Sequence, residues 1–356
     1  MSKHILLQTF AVMRLELRKT FFARRGLWVY LLAFAPVVLF LAHSILAPRD
    51  QDRLARLALQ HPASAAALRS IRVGDSREKI ERAGEPYFQR SGRLRTEGVR
   101  GDALAKYTDG QSDFYVLFED GKVKHVRRVD PESLSQGSLI FATSFQTYFL
   151  RLAVFFGCVG IFINLFRGEM LDKSLHFYLL TPIRREVLMA GKYLAELFAT
   201  VVIFTTSAGL QLMVMLWRFD HASLAAYLRG PGWAEIFSYL AVTALACVGY
   251  GSVFLAAGMF FRNPIIPTAI VLLWESANVF LPAILKKVSL IFYLQSLCPV
   301  VAPPDVKLPV AWRLLISTVE PATPLAAVSG IVILTVLVLV ASALRARKLE
   351  INYGAD

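Results

Sequence analysis

Six runs of apolar residues, each long enough to cross a bilayer as a helix, limit what this chain can fold into. They are Leu27–Leu46, Phe149–Phe166, Tyr193–Trp217, Ala234–Phe261, Ile265–Leu285 and Thr323–Leu344. About 20 helical residues cover the roughly 30 Å of hydrocarbon in a membrane. A soluble domain of 356 residues has no use for so many, and 56% hydrophobic content fits a polytopic membrane protein with charged loops. The expected fold class is mainly α: six transmembrane helices, an interfacial helix before the first, and a small α+β domain between the first two.

Orientation follows from the cations. The segments flanking the runs carry fifteen Lys and Arg on one side and six on the other; the loop after the first run is too long to count. Both termini are therefore expected in the cytoplasm. The divisions are a cytoplasmic amphipathic helix (1–26), span 1 (27–46), an extracytoplasmic domain (47–138), span 2 with its approach (139–166) and a cytoplasmic loop (167–186). Spans 3 to 6 (187–344) then include an outer re-entrant, proline-rich segment at 286–322, and a cytoplasmic tail follows (345–356). The long basic stretch before Leu27, followed by a full-length span, argues against a cleaved signal peptide.

Within 1–26, Leu6, Phe10, Met13, Leu17 and Phe21 recur at helical spacing while Arg14, Arg18, Lys19, Arg24 and Arg25 fall mostly elsewhere. That pattern fits a helix lying in the inner membrane interface, its cations near anionic lipid headgroups. In the outer domain, IRV reads as a strand and Asp75 or Ser76 caps a helix that closes at Gly84. FYVLFEDGKVKHVRRV reads as a hairpin turning at Asp120-Gly121. The segments around Gly92 and between Glu97 and Gly101 read as loops, and an Ala-rich helix is expected from Asp50 to about Leu68. Gly74, Gly84, Pro86 and the FYVLFEDGKVKHV hairpin resemble the small domain of lipoproteins that accompany the β-barrel assembly machinery; the resemblance implies a protein-binding or packing module.

Charges at membrane depth are costly and mark candidate sites. Glu275 falls near the middle of the fifth run with Asn278 one turn on, so the two are candidates for lining a polar cavity or for holding a neighbouring helix. Arg151 is expected to snorkel to the outer headgroups, and Glu196 to pair with Lys192 one turn earlier. No paired Asp, Ser/Lys or HExxH signature supports an intramembrane enzyme, and the three cysteines and scattered histidines have no metal-ligand spacing.

The stretch FRGEMLDKSLHFYLLTPIRREVLMAGK between spans 2 and 3 combines both signs of charge with an apolar strip and a proline turn, a composition suited to docking a soluble partner. It resembles the corresponding loop of the type-2 ABC exporter permeases, on Glu169, the turn Asp172-Lys173-Ser174, Thr181-Pro182-Ile183-Arg184-Arg185 and Gly191-Lys192. Six runs, the basic N-terminal RLELRKTFFARRG and the basic tail ALRARK extend the likeness. The resemblance implies an exporter's membrane subunit in an inner membrane, working with a second permease copy and a cytosolic ABC ATPase. Arg167, Gly168, Glu169, Asp172, Lys173, Ser174, Thr181, Pro182, Arg184 and Arg185 would form the docking loop. No catalytic residue is expected. GEMLDKS at Gly168–Ser174 lacks the second glycine of a phosphate loop, so ATP and Mg would belong to the partner chain. Membrane lipid is the other expected partner, and nucleic acid is not. The alternative is a mechanotransmitter that moves its outer domain against an envelope partner while nothing crosses the spans.

Overall fold

The computed structural model describes residues 8–14, 16–17, 27–163, 165, 184–261, 263–301 and 320–347. The chain forms two compact units: Leu41–Gln136, against an expected 47–138, and the remainder.

Among the described residues, five helices are long and apolar enough to cross a membrane: α2 (Leu27–Gln60), α5 (Leu134–Phe162), α6 (Arg185–Trp217), α7 (His221–Phe260) and α11 (Pro324–Arg347). A shorter helix, α1, covers residues 8–17 ahead of them, with residue 15 not described. The large apolar side chains left outside, such as Leu325, Val332, Ile333, Val336 and Leu337 of α11, are what a helix facing lipid carries. The chain is thus mostly helical and consistent with a transmembrane protein.

α5, α6 and α7 begin earlier than the runs read from the sequence, at Leu134, Arg185 and His221, and two other spans differ further. The first run does not stop at Leu46: α2 continues through Pro48 for 34 residues, about 51 Å. A proline removes one backbone hydrogen bond but does not stop a helix whose next residues favour it, and Arg49 to Gln60 supply such a stretch. The fifth run, by contrast, is divided. Helix α8 (Ile265–Ala277) has 13 residues, about 20 Å, and passes into a 3₁₀ turn at Asn278–Phe280. Leu281 and Pro282 are extended, and two short helices follow, α9 (Ala283–Lys286) and α10 (Leu290–Ser296).

The membrane unit is held by aromatic stacking between α5 and α7. Phe141 and Phe145 each meet Tyr239 edge-on at 4.9 Å between centroids, and Phe155 meets Phe254 in the same way. Within α5 the backbone adopts π-helical pairing over Phe145–Val154, and Arg151 lies in this segment. A buried polar link joins α6 to α2: Gln211 Nε2 donates to Ser207 Oγ, which donates to the Ala33 carbonyl.

The smaller unit contains a four-stranded antiparallel meander, β1 (Phe88–Thr96), β2 (Val99–Thr108), β3 (Asp113–Glu119) and β4 (Lys122–Val129), in the order 1-2-3-4. Helices α3 (Ala65–Arg69) and α4 (Arg77–Glu81) precede it. Leu68 and Ile80 from these helices pack with Ala103, Ala105, Tyr107, Phe114, Val116, Phe118 and Val123. The Asp120-Gly121 hairpin forms as read, both residues at positive φ.

Three readings of this unit are corrected. The segments around Gly92 and Glu97 are not loops: Gly92 sits at a bulge inside β1, and Glu97 and Gly98, with φ of 50° and 88°, make a two-residue hairpin turn. Ile71–Val73 is not a strand. The Ala-rich helix ends at Gln60, and only Ala65–Arg69 resumes it, capped by Ser64.

Candidate functional site

Two groups of polar residues in the membrane unit stand out. The first lies at the start of α6. Of the expected docking residues, Arg167, Gly168, Glu169, Asp172, Lys173, Ser174, Thr181 and Pro182 lie outside the described residues. Arg184 and Arg185 are described. Arg184 is the extended residue at which α6 begins, its carbonyl accepting from the Val187 and Leu188 amides. Arg185 donates from Nη1 to the Arg347 carbonyl at 3.3 Å, and the Arg347 guanidinium pairs with Glu186. The opening turn of α6 is therefore tied to the last turn of α11, where a cation also complements the helix dipole.

Two turns further on, α1 packs against α6. A Cβ on Gly191 would lie 2.9 Å from Val12 Cβ and 3.1 Å from the Thr9 carbonyl, so only glycine admits α1 at this distance. Lys192, fully buried, places Nζ 3.0 Å from Glu16 Oε1, and Glu16 is itself only 4% exposed. The i,i+4 partner expected for Lys192 was Glu196; the carboxylate that meets it comes from 176 residues away. Glu16 was missed, yet the sequence carries a signal: it is the sole carboxylate among the first 49 residues. A basic interfacial helix has little use for it, and a buried lysine does. α1 is thus pinned to α6, which differs from a helix held only by lipid headgroups.

The second group surrounds Glu275. Its side chain is 7% exposed and accepts from the Leu290 amide at Oε1 (3.0 Å) and the Ile291 amide at Oε2 (2.8 Å). Ser289 Oγ donates to Oε2 at 2.9 Å, and the Tyr250 hydroxyl reaches it at 3.4 Å. The carboxylate of α8 thereby satisfies the orphan amides at the start of α10, the task that a helix cap residue performs in water. Arg151 of α5 is half-buried and close enough to Tyr250 and Glu275 to interact with both electrostatically. It therefore does not simply snorkel outward, and its buried Nε has no hydrogen-bond partner among the described residues. Asn278, 5% exposed, is not hydrogen-bonded to Glu275; its buried Nδ2 likewise has no partner among the described residues. Arg151, Tyr250 and Ser289 were not grouped with Glu275 in the sequence because they lie on three other segments.

Of the histidines without metal-ligand spacing, His43 meets Glu132 at 3.0 Å, and His176 lies outside the described residues. All three cysteines are free and buried.

Compared with family models, curated proteins and solved structures, the chain gives no match to any of the three.

Proposed function

We propose that this chain is the permease subunit of an ATP-driven exporter of the type-2 ABC kind. In this reading it sits in an inner membrane with both termini in the cytoplasm. The broken segment from Ile265 to Ser296 counts as a sixth membrane element that returns through a short outer helix. A separate cytosolic ATPase carries ATP and Mg and docks on the loop from Arg167 to Arg185, and a second permease copy completes the transporter.

The observation that carries this reading is the fastening of the helix that follows the loop. Arg185 and Glu186 of α6 are bound to Arg347 of α11, and Gly191 and Lys192 hold α1. Force applied to the loop would therefore reach three helices at once, which an attachment point for an external motor requires. A simple topology anchor would need the cations and not the buried Glu16. The test is co-purification of the tagged full chain from its native membrane, with crosslinking, beside Glu169→Ala/Arg184→Ala. An ATPase recovered with the wild type and lost with the variant supports the reading; none recovered with either sinks it.

One observation favours the mechanotransmitter alternative. Both Glu275 oxygens are engaged by Ser289, Leu290 and Ile291, so the clearest mid-membrane carboxylate holds a helix and does not face a path. In that reading ATPase strokes would be delivered to the Leu41–Gln136 unit, and transport assays would find nothing crossing.

A further inference from the structure

The Leu41–Gln136 unit carries seventeen Lys and Arg. Seven of them meet a carboxylate among the described residues: Arg69 with Asp109, Arg77 with Glu81, Lys79 with Asp75, Arg82 with Glu78, Arg127 with Glu97, Lys124 with Glu119 and Arg128 with Asp130. On the β1–β2 hairpin no arginine does. Arg90, Arg93, Arg95 and Arg100 are all exposed, and none of their guanidinium groups has an ion pair or hydrogen bond among the described residues.

The hairpin has carboxylates of its own, and the fold directs them away. Glu97 at the turn pairs with His125 at 3.2 Å and Arg127 at 2.8 Å on β4. Asp102 of β2 accepts from the Asp120 amide at 2.9 Å. The four guanidinium groups are thereby left unneutralised on one edge hairpin.

The register adds a second, independent feature. Arg95 and Arg100 are direct cross-strand partners, the second pair from the Glu97-Gly98 turn. Opposed residues of an antiparallel pair project from the same face with Cβ atoms about 4.5–5.5 Å apart, and like charges there destabilise the sheet. Charged residues commonly blunt an exposed sheet edge, but that purpose is served without setting two arginines against each other. An anion between them would turn the repulsion into two charge-assisted contacts. All four positions hold arginine and none lysine; the planar fork of arginine matches the oxygens of a phosphoryl group bidentately.

We propose that the β1–β2 hairpin is a phosphoryl-binding site, with Arg95 and Arg100 clasping the group and Arg90 and Arg93 extending the surface to a neighbouring one. The ligand class is a compound bearing more than one phosphoryl group, or a surface that presents several, since four separate cations outmatch a single monoanion. The site is independent of the transporter reading, for it rests on the smaller unit alone.

The experiment uses the full chain in nanodiscs of phosphatidylcholine, which present no net lipid charge. Inorganic tripolyphosphate is titrated against the wild type, Arg95→Gln/Arg100→Gln, and Arg56→Gln, an exposed arginine outside the hairpin. The expected result is a tenfold or greater loss of affinity in the double variant, little change in Arg56→Gln, and weakening with added salt. A second arm measures flotation of the same nanodiscs with vesicles of phosphatidic acid and phosphatidylcholine in equal parts. Hairpin-dependent flotation identifies lipid-borne phosphate as the source; hairpin-dependent binding of tripolyphosphate alone identifies a soluble or polymer-borne one. Because both arginines are exposed, the double variant should melt no earlier than the wild type, so a loss of binding is not a loss of fold. Equal affinity in wild type and double variant overturns the proposal, as does displacement of tripolyphosphate by polyglutamate at matched charge, which would make the hairpin a docking surface for acidic protein.

Discussion

Lys192 of α6 and Glu16 of α1 meet at 3.0 Å with both side chains buried, although 176 residues separate them. A charge pair taken out of water is held by its partner, and removing one member strands the other. Glu16→Ala and Lys192→Ala are each expected to lower stability by about 3–5 kcal/mol. Glu16→Leu/Lys192→Met, which strands no charge, is expected to recover most of it. Thermal melting of the purified chain in detergent measures both; a loss in the double variant equal to the sum of the two single losses would show that the pair contributes no coupling.

Gly191 supplies the close approach that lets this pair form. Gly191→Val places a branched side chain where Val12 and the Thr9 carbonyl already sit, so α1 is expected to detach from α6. Limited trypsin digestion reports this as faster cleavage at Arg14, by at least several-fold, with spans α7 and α11 unaffected. Unchanged cleavage would mean that α1 is held elsewhere.

The carboxylate of Glu275 serves as the cap of α10. Glu275→Ala leaves the Leu290 and Ile291 amides without acceptors in a water-poor setting, at a cost of about 1–3 kcal/mol for each unsatisfied group. Glu275→Gln keeps one acceptor oxygen and sets an amide donor against backbone donors, so it is expected to fall between the wild type and alanine. Hydrogen exchange at residues 290 and 291 checks this directly: protection should drop in the order wild type, Gln, Ala. If Glu275 instead served a substrate path, Ala would leave this protection intact.

Acid sensitivity is expected of the smaller unit through Asp109. Burial disfavours its charge, but the Ser112 and Gln111 amides and the Arg69 guanidinium outweigh that and hold its carboxyl below the usual range. Asp75, held by Lys79 and the Arg72 amide, is lowered as well. A folded pKa below the unfolded one means that the folded state binds the proton less tightly. The stabilisation is therefore complete above the unfolded value, near 4, and is lost as pH falls through the folded one. Asp109→Asn is expected to melt lower at neutral pH and to show a flatter decline below about pH 4. A variant whose acid limb is as steep as the wild type's would place the acid sensitivity on other groups.

Continuous apolar composition made α2, α6, α7 and α11 legible, because a helix of that length needs nothing but lipid and neighbours to form. The Asp120-Gly121 turn was legible for a local reason, since few residue pairs accept positive φ at both positions. Legibility failed where the deciding partner lies elsewhere in the chain. β1 shows no alternation because its residues are mostly exposed, so Gly92 and Gly98 looked like loop glycines and not a bulge and a turn. The fifth run is apolar throughout, yet α8 ends at Ala277, beside the turn that lets Glu275 reach Ser289. Glu275 could be picked out as a site from its depth alone. Its role as a cap could not, because the amides it satisfies are identical in every sequence. Lys192 was visible only as a cation near the inner face, and Glu16 had to be seen against it.

The measurement that bears most directly on the account is ATP hydrolysis by the complex purified through the tagged full chain, compared between the wild type, Glu169→Ala/Arg184→Ala and Glu16→Ala. Hydrolysis is expected in the wild-type preparation, with its loss in the loop variant through loss of the ATPase subunit, and retained ATPase with lowered turnover in Glu16→Ala. A wild-type preparation with no hydrolysis above background, or a loop variant that hydrolyses ATP as the wild type does, would contradict it.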